Sequence, residues 1–455
     1  MRISTSMLTK ISLDAMLNQQ AALSNTQLQV TTGQRIISPS DDPYGSSRSL
    51  DLQESISLNE QYQVNAGYAK NRLNLEESSL TGVGNAIQRV RELMVVANND
   101  SQTPESRGFI REEINQLLDQ VLALSNSTDS NGEYIFAGYQ GKTKPFAVDG
   151  AGNYSYFGDK GSRLLKMSSS TSVAMGDSGE GTFLTIKNGN GTFQTRDHTT
   201  NTGTAIVDPG TVYGTYVPDN YQVKFIPPAT GDLRDPLEYY VLDGQGDVIV
   251  PAAYVGSAEG AYLTDVQNRV PASAGVQYQE GAVIQGLDTL GIKISIAGKP
   301  AISTTPVLSE TSMWPVANGP YPALTGGDGF DINPSKFQSL FATVKSFSDT
   351  LASNQGSETE LTKFHNSVNR SLIDLDQAMG RVLDVRSRIG ARLNTVDKQI
   401  EINESFSLQM NETLSSIQDL DYAEAITRMN LQLTGLQAAQ NAYTKIQDLS
   451  LFNYI

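Results

Sequence analysis

The sequence predicts an α+β chain: a long helical coiled-coil rod built from both chain ends, with an antiparallel β-rich outer domain inserted between them. Three observations carry this. Of 17 prolines, 14 lie between Pro145 and Pro334; the others are Pro39, Pro43 and Pro104. Proline breaks helix interiors and sheet ladders, so the last 121 residues and most of the first 144 are open to long helices. The flanks repeat apolar residues every seven positions, and the middle alternates every two.

Residues 1–42 read as an N-terminal core helix, with Ile3, Met7, Leu8, Ile11, Ala15 and Ala22 at helical spacing. Residues 43–144 read as the N-terminal half of the rod. Asp42 is a good N-cap, and Pro43 suits the first helical position. One helix over residues 46–100 would span about 80 Å at ~1.5 Å per residue. Leu73, Leu80, Ile87 and Met94 step by seven, with Val83, Val90 and Ala97 offset by three, which makes a heptad seam. Gly67, Gly82 and Gly84 weaken this helix by up to ~1 kcal/mol each and are candidate bends.

Residues 145–334 read as the β-rich domain. Tyr221–Ile226 is YQVKFI, Leu237–Val250 holds two apolar runs around a Gly-containing turn, and Ile292–Ile296 is IKISI. Alternating β-branched and aromatic residues between Gly and Pro mean strands and hairpins.

Residues 335–409 read as the C-terminal half of the rod. Asn333-Pro334 repeats the helix-start signature. The seam then runs Leu361, Phe364, Val368, Leu372, Leu375, Met379, Val382, Val385, Ile389, Leu393, Val396 and Ile400. Eleven steps over 39 residues give about 3.5 residues per step, the heptad value. Residues 410–455 read as a C-terminal core helix, one face carrying Tyr422, Ile426, Met429, Leu433, Leu436, Ala439, Tyr443 and Ile446.

The two ends share an unusual chemistry. Residues 1–30 hold three charged side chains, Arg2, Lys10 and Asp14; residues 422–447 also hold three, Glu424, Arg428 and Lys445. A solvated surface helix normally has a charged outer face. These do not, so their outer faces are expected to be covered by another subunit. We place that interface on Met7, Leu8, Ile11, Ile426, Met429, Leu433, Leu436, Tyr443, Leu449 and Phe452.

Composition excludes other classes. Net charge is −16, and no basic run is present to displace counterions from phosphates. Cysteine is absent, so there is neither a disulfide nor a thiolate site. The start MRISTSMLTK lacks a signal-peptide apolar stretch, and no run approaches a membrane span. His198 and His365 are far apart in sequence and read as ordinary packing or surface. Gly176-Asp177-Ser178-Gly179 looks like a protease nucleophile motif, but no histidine base precedes Ser178. Asp41-Asp42 reads as capping, not as a cation site. Asp328–Asn333 lacks calcium-loop spacing and reads as a turn into a helix cap. Trp314 stands alone in a Pro-rich loop. Neither catalysis nor a cofactor or metal is expected, and the reading is a structural subunit that assembles through its ends.

Several motifs resemble those of the bacterial flagellin superfamily. Thr32–Asp42, TGQRIISPSDD, is similar to the N-terminal signature and contains Arg35, Asp41 and Asp42. Val385–Asn394, VRSRIGARLN, is similar to the C-terminal one and contains Arg386 and Gly390. Asp421–Ala425 looks like the start of the last long helix. Asn131–Tyr139, NGEYIFAGY, with Tyr134, Phe136 and Gly138, resembles the members at the hook–filament junction, as do the start MRISTSML and the ending LSLFNYI. The resemblance covers roughly residues 1–145 and 325–455, and Gly291–Pro300 looks like the family's β repeat. It implies an extracellular flagellar protein, exported through the type III channel without a cleaved signal and supporting motility. The terminal helices would pair as a coiled coil. Implied partners are copies of itself in a ring, the neighbouring hook-associated junction protein, flagellin, and an export chaperone at the C-terminal end. Nucleic acid and membrane are not implied. The alternative is a filament flagellin, a bulk polymer subunit.

Overall fold

The computed structural model describes residues 5–226, 236–245, 248–250, 275–302, 327–353 and 356–448. Six helices are described: α1 (Thr5–Thr32), α2 (Pro43–Ala97), α3 (Pro104–Ser125), α4 (Leu340–Leu351), α5 (Glu358–Gln418) and α6 (Tyr422–Asp448). Short strands fill the interval between α3 and α4. The fold is thus helical at both ends with a central antiparallel β-rich domain.

Side chains set the helix starts. The Gly45 N–H donates to Asp42 Oδ1 at 2.9 Å, and Pro43 opens α2. Thr103 caps α3 with Pro104 behind it, and Ser339 caps α4 through the Ala342 N–H. Ser357 accepts the Glu360 N–H ahead of α5, and Asp421 accepts those of Ala423 and Glu424 at α6. Each cap satisfies donors that have no partner inside the helix.

The chain divides into two compact units. The first comprises Met1–Lys70, Leu165–Val173 and Asn394–Ile455. In it the Asn59 side chain donates to the Asn403 carbonyl, and Asn403 to the carbonyl of the buried Met167. These amides tie α2, α5 and the hairpin tip around Met167 by backbone acceptors.

The second unit comprises Asn71–Leu164 and Ala174–Leu393. Its helical core is the expected seam: Leu73, Leu80, Ile87 and Met94 are buried, as are Phe364, Val368, Leu375, Val382, Val385 and Ile389. Helix α2 runs unbroken through its glycines. At Gly82 a Cβ would sit 2.9 Å from Leu124 Cδ1, so the missing side chain admits α3; Gly67 and Gly84 face open space. The carbonyls at the C-terminal end of α2 are met by the buried Arg107, whose Nε donates to Ala97 and Nη2 to Asn99.

The β core of this unit is one antiparallel sheet in the order Val248–Val250, Glu238–Leu242, Tyr221–Ile226, Gly329–Pro334, Phe193–Asp197, with Val276–Gln277 also pairing Glu238–Leu242. The alternation read in YQVKFI holds: Tyr221, Val223 and Phe225 are buried against Phe330, Ile332, Tyr239 and Val241. Ile292, Ile294 and Ile296 also point into this core. Their ladder is split, however: Ile292–Lys293 pairs Thr211–Val212, and Ile296–Ala297 pairs Ile206–Val207. Pro209 interrupts the partner segment, and Gly210 (φ +71°) brings its backbone against Ile294.

Asn333-Pro334 corrects the sequence reading. It ends a strand of the main sheet, with Asn333 opposite Gln194 and Pro334 opposite Phe193. Phe330 and Ile332 alternate into the sheet core, and that burial outweighs the cap signal. Proline is tolerated at the strand's end, where it interrupts little of the ladder. Helix α4 starts only after Ser339. The segment from Asp328 is therefore a strand rather than a turn into a cap.

Candidate assembly surface

In the first unit α1 and α6 lie side by side. Gln19 Nε2 donates to the Gln432 carbonyl at 3.4 Å. A Cβ on Gly435 would lie 2.9 Å from Gln19 Nε2, so this glycine permits the approach.

The turns that return the chain are locked to each other. Gly33 (φ +72°) ends α1, and its carbonyl accepts the Leu420 N–H at 3.0 Å, while the Arg35 N–H donates to Gln418 at 2.7 Å. The Arg35 guanidinium donates through Nε and Nη2 to the Ile417 carbonyl, at 3.1 and 2.8 Å. It also pairs with Asp42 at 3.2 Å. Arginine at the C-terminal end of α5 and aspartate at the N-terminal end of α2 each suit the dipole they meet. Asp41 Oδ2 accepts the N–H groups of Ile37 and Ser38. The Asp41 carboxyl lies below its ordinary 3.8, chiefly through the Ser38 N–H. That of Asp42 is lowered first by the Gly45 N–H and then by Arg35. Asp42 thus caps α2, as expected, and also holds Arg35, whereas Asp41 caps no helix and instead closes the turn before it.

Several large apolar side chains stay exposed on these helices. Met7 is 58% exposed, Ile11 56%, Ile426 43% and Leu433 39%. Met429, Leu436 and Tyr443 are half-buried. The Leu8 side chain, Leu449 and Phe452 lie outside what the structure describes, as does Trp314. Sequence reasoning missed Leu431 (69% exposed) on α6, and also Leu50, Leu58 and Val64 on α2 and Phe406 and Leu408 on α5. Their signal was available as apolar residues off the heptad seam.

The other motif residues lie in the second unit. Phe136 is buried edge-on to Phe183, 5.1 Å between ring centroids. The Tyr134 carbonyl accepts from Arg72 at 3.2 Å, and Gly138 adopts φ +70° against Asp159. Arg386 donates to Glu77 through Nε and Nη2 at 2.9 and 2.7 Å. Gly390 is half-buried, with nothing within 4 Å of a Cβ built on it. The contacts of Phe136, Tyr134 and Arg386 are internal to the fold, and Gly138 lines a cavity of about 10 Å³ with Arg72 and Asp177. Ser178 Oγ accepts the Gly181 N–H in a single π-helical turn. His198 pairs with Asp331 and Gln222, and His365 with Asn98 and Asp100. Among the described residues no cluster of three His, Cys, Asp or Glu could hold a metal. No described helix is long and apolar enough to cross a membrane.

Comparison with known proteins places both ends. Residues 3–141 match the bacterial flagellin N-terminal helical region, and residues 372–455 the C-terminal helical region. Flagellar hook-associated protein 3 of Escherichia coli is 36% identical over 186 residues, which is 41% of this chain and 58% of that protein. The Salmonella typhimurium protein of the same name is 34% identical over the same shares. The chain thus aligns with 58% of the length of these curated relatives. A flagellin of Salmonella naestved aligns over 135 residues at 29% identity, 27% of its length. Among solved structures, hook-associated protein 3 of Legionella pneumophila superposes with a TM-score of 0.66 at 30% identity, covering 80% of this chain and 98% of that one. The flagellar protein FlgL of Xanthomonas campestris gives 0.64 at 26%, covering 80% and 99%.

Proposed function

The chain belongs to the hook-associated protein 3 family of bacterial flagellar proteins, and we propose that it is the structural adaptor joining hook to filament. It works by assembly rather than catalysis. The observation that carries this reading is the apolar, charge-poor surface left on the paired helices α1 and α6, with Met7, Ile11, Ile426 and Leu433 exposed. Covering such a surface gains about 25 cal/mol per Å² of apolar area without desolvating many charges. Copies of the chain would form a ring, with the preceding junction protein on one side and flagellin on the other. An export chaperone would shield the C-terminal end before the protein reaches the extracellular flagellum.

A filament flagellin is the second reading. The NGEYIFAGY segment and the longer, more similar matches to hook-associated proteins favour the junction. Deletion of the gene in its own bacterium, followed by electron microscopy of cells and medium, separates the two. Hooks without filaments, with flagellin monomers shed into the medium, are expected. Intact filaments would overturn the junction role.

A further inference from the structure

On α2, Glu76 is fully buried. Its Oε1 accepts the Asp177 N–H at 2.9 Å, while Oε2 is buried with no hydrogen-bond partner. The nearby cations are already engaged. Arg392 holds the Asp177 carboxylate through two N–H donors, at 2.9 and 3.2 Å. Arg388 divides between Asp177 at 3.9 Å and Asp384 at 3.8 Å. Arg72, one turn before Glu76, donates to Asp129 at 2.6 Å, with Glu133 at 3.9 Å. Glu133 is itself paired with Arg163 at 2.7 Å. Next along the helix, Glu77 takes Arg386. Each arginine around Glu76 therefore has another carboxylate, and Glu76 has no cation of its own.

Water offers little relief. A cavity of about 10 Å³ lies against Arg72, Gly176 and Asp177, room for about one molecule. An ionised carboxylate here would be buried and unpaired, so the neutral acid is favoured. Burial, and next the charge of Asp177, push the Glu76 carboxyl up to about 8, against the pull of Arg392 and Arg72.

We propose that Glu76 is a proton-operated catch: neutral, it lets α2, α5 and the segment from Ala174 to Thr185 close on one another, and its ionisation loosens that packing as pH rises. The folded group binds its proton more tightly than the unfolded one, whose ordinary value is 4.5. Its contribution to stability is full below 4.5, is lost as pH rises through about 8, and is constant beyond.

The test is urea unfolding of the full chain at pH 5 and pH 8.5, native against Glu76→Gln. Glutamine keeps an oxygen for the Asp177 N–H but cannot ionise. The native midpoint should fall from the lower to the higher pH, and the variant's should fall distinctly less. Equal falls in both would overturn the catch. Should Glu76→Gln fail to fold, the native chain decides through the ¹³C resonance of the Glu76 carboxyl. A titration midpoint near 8 supports the proposal, and one near 4.5 sinks it.

Discussion

A methyl group at residue 138 would have nowhere to go. Gly138 has φ +70°, and a Cβ there would fall 2.2 Å from Asp159 Oδ1 and 2.6 Å from the Asp159 carbonyl oxygen. That carboxylate also accepts the Tyr139 N–H, so it cannot simply swing away. Gly132 in the same motif has φ +75° but open space around its Cβ. The pair separates two physical costs. Gly132→Ala should lose only the left-handed backbone cost, about 1–2 kcal/mol. Gly138→Ala should lose that plus a packing clash of about 1–3 kcal/mol. Urea unfolding of the two variants checks this, and equal losses would mean that the Asp159 contact is unimportant. The resemblance singled out Gly138, Tyr134 and Phe136, but their physical reason was not legible. It lies in Asp159, Arg72 and Phe183, residues distant in sequence that only the fold brings near.

At the scale of elements, the turns between α1 and α2 and between α5 and α6 depend on Asp41 and Asp42. Both carboxyls sit below 3.8 because backbone N–H groups bond to the charged form. Their contribution is therefore present above 3.8 and lost as pH falls below it, through the folded values. Amide exchange at Ser38 and Gly45, corrected for its intrinsic pH dependence, should accelerate as pH drops below 3.8. In Asp42→Asn the Gly45 step should vanish while that at Ser38 remains. A pH-independent ratio at both amides would show that the caps do not hold the turn. The start of α2 and the strand Tyr221–Ile226 were legible because their signals are local: a cap, a proline, a strict alternation. Asn333-Pro334 misled for the same reason. Its cap-like pair is local, whereas its pairing with Gln194 and Phe193 is not. The broken ladder at Ile292–Ile296 likewise reflects Pro209 in the partner segment. The boundary read at residue 410 was not legible either, since α5 runs on to Gln418 before α6 begins at Tyr422.

At the scale of the whole molecule, the question is what covers the charge-poor helices. Leu433 is 39% exposed on α6, and Leu436, three residues on, is half-buried. In an isolated subunit, Leu433→Asp puts its carboxylate into water at little cost. In an assembly that covers this face, the same carboxylate is buried without a cation, at several kcal/mol per subunit. Covering the 39% of Leu433 that is still exposed, about 0.6–1.2 kcal/mol, is lost as well. In the proposed ring that loss would recur at every copy. Leu433→Asp should therefore leave the monomer's circular dichroism and the unfolding of its β core unchanged, yet fail to restore filaments in the deletion strain. Leu436→Asp should fail likewise, and should also loosen the pairing of α1 with α6, raising amide exchange along both helices. Leu433→Ala, which removes area but adds no charge, should give partial restoration. If both aspartate variants restore filaments and swimming, this face of α6 stays wet in the assembled flagellum and the interface lies elsewhere on the chain.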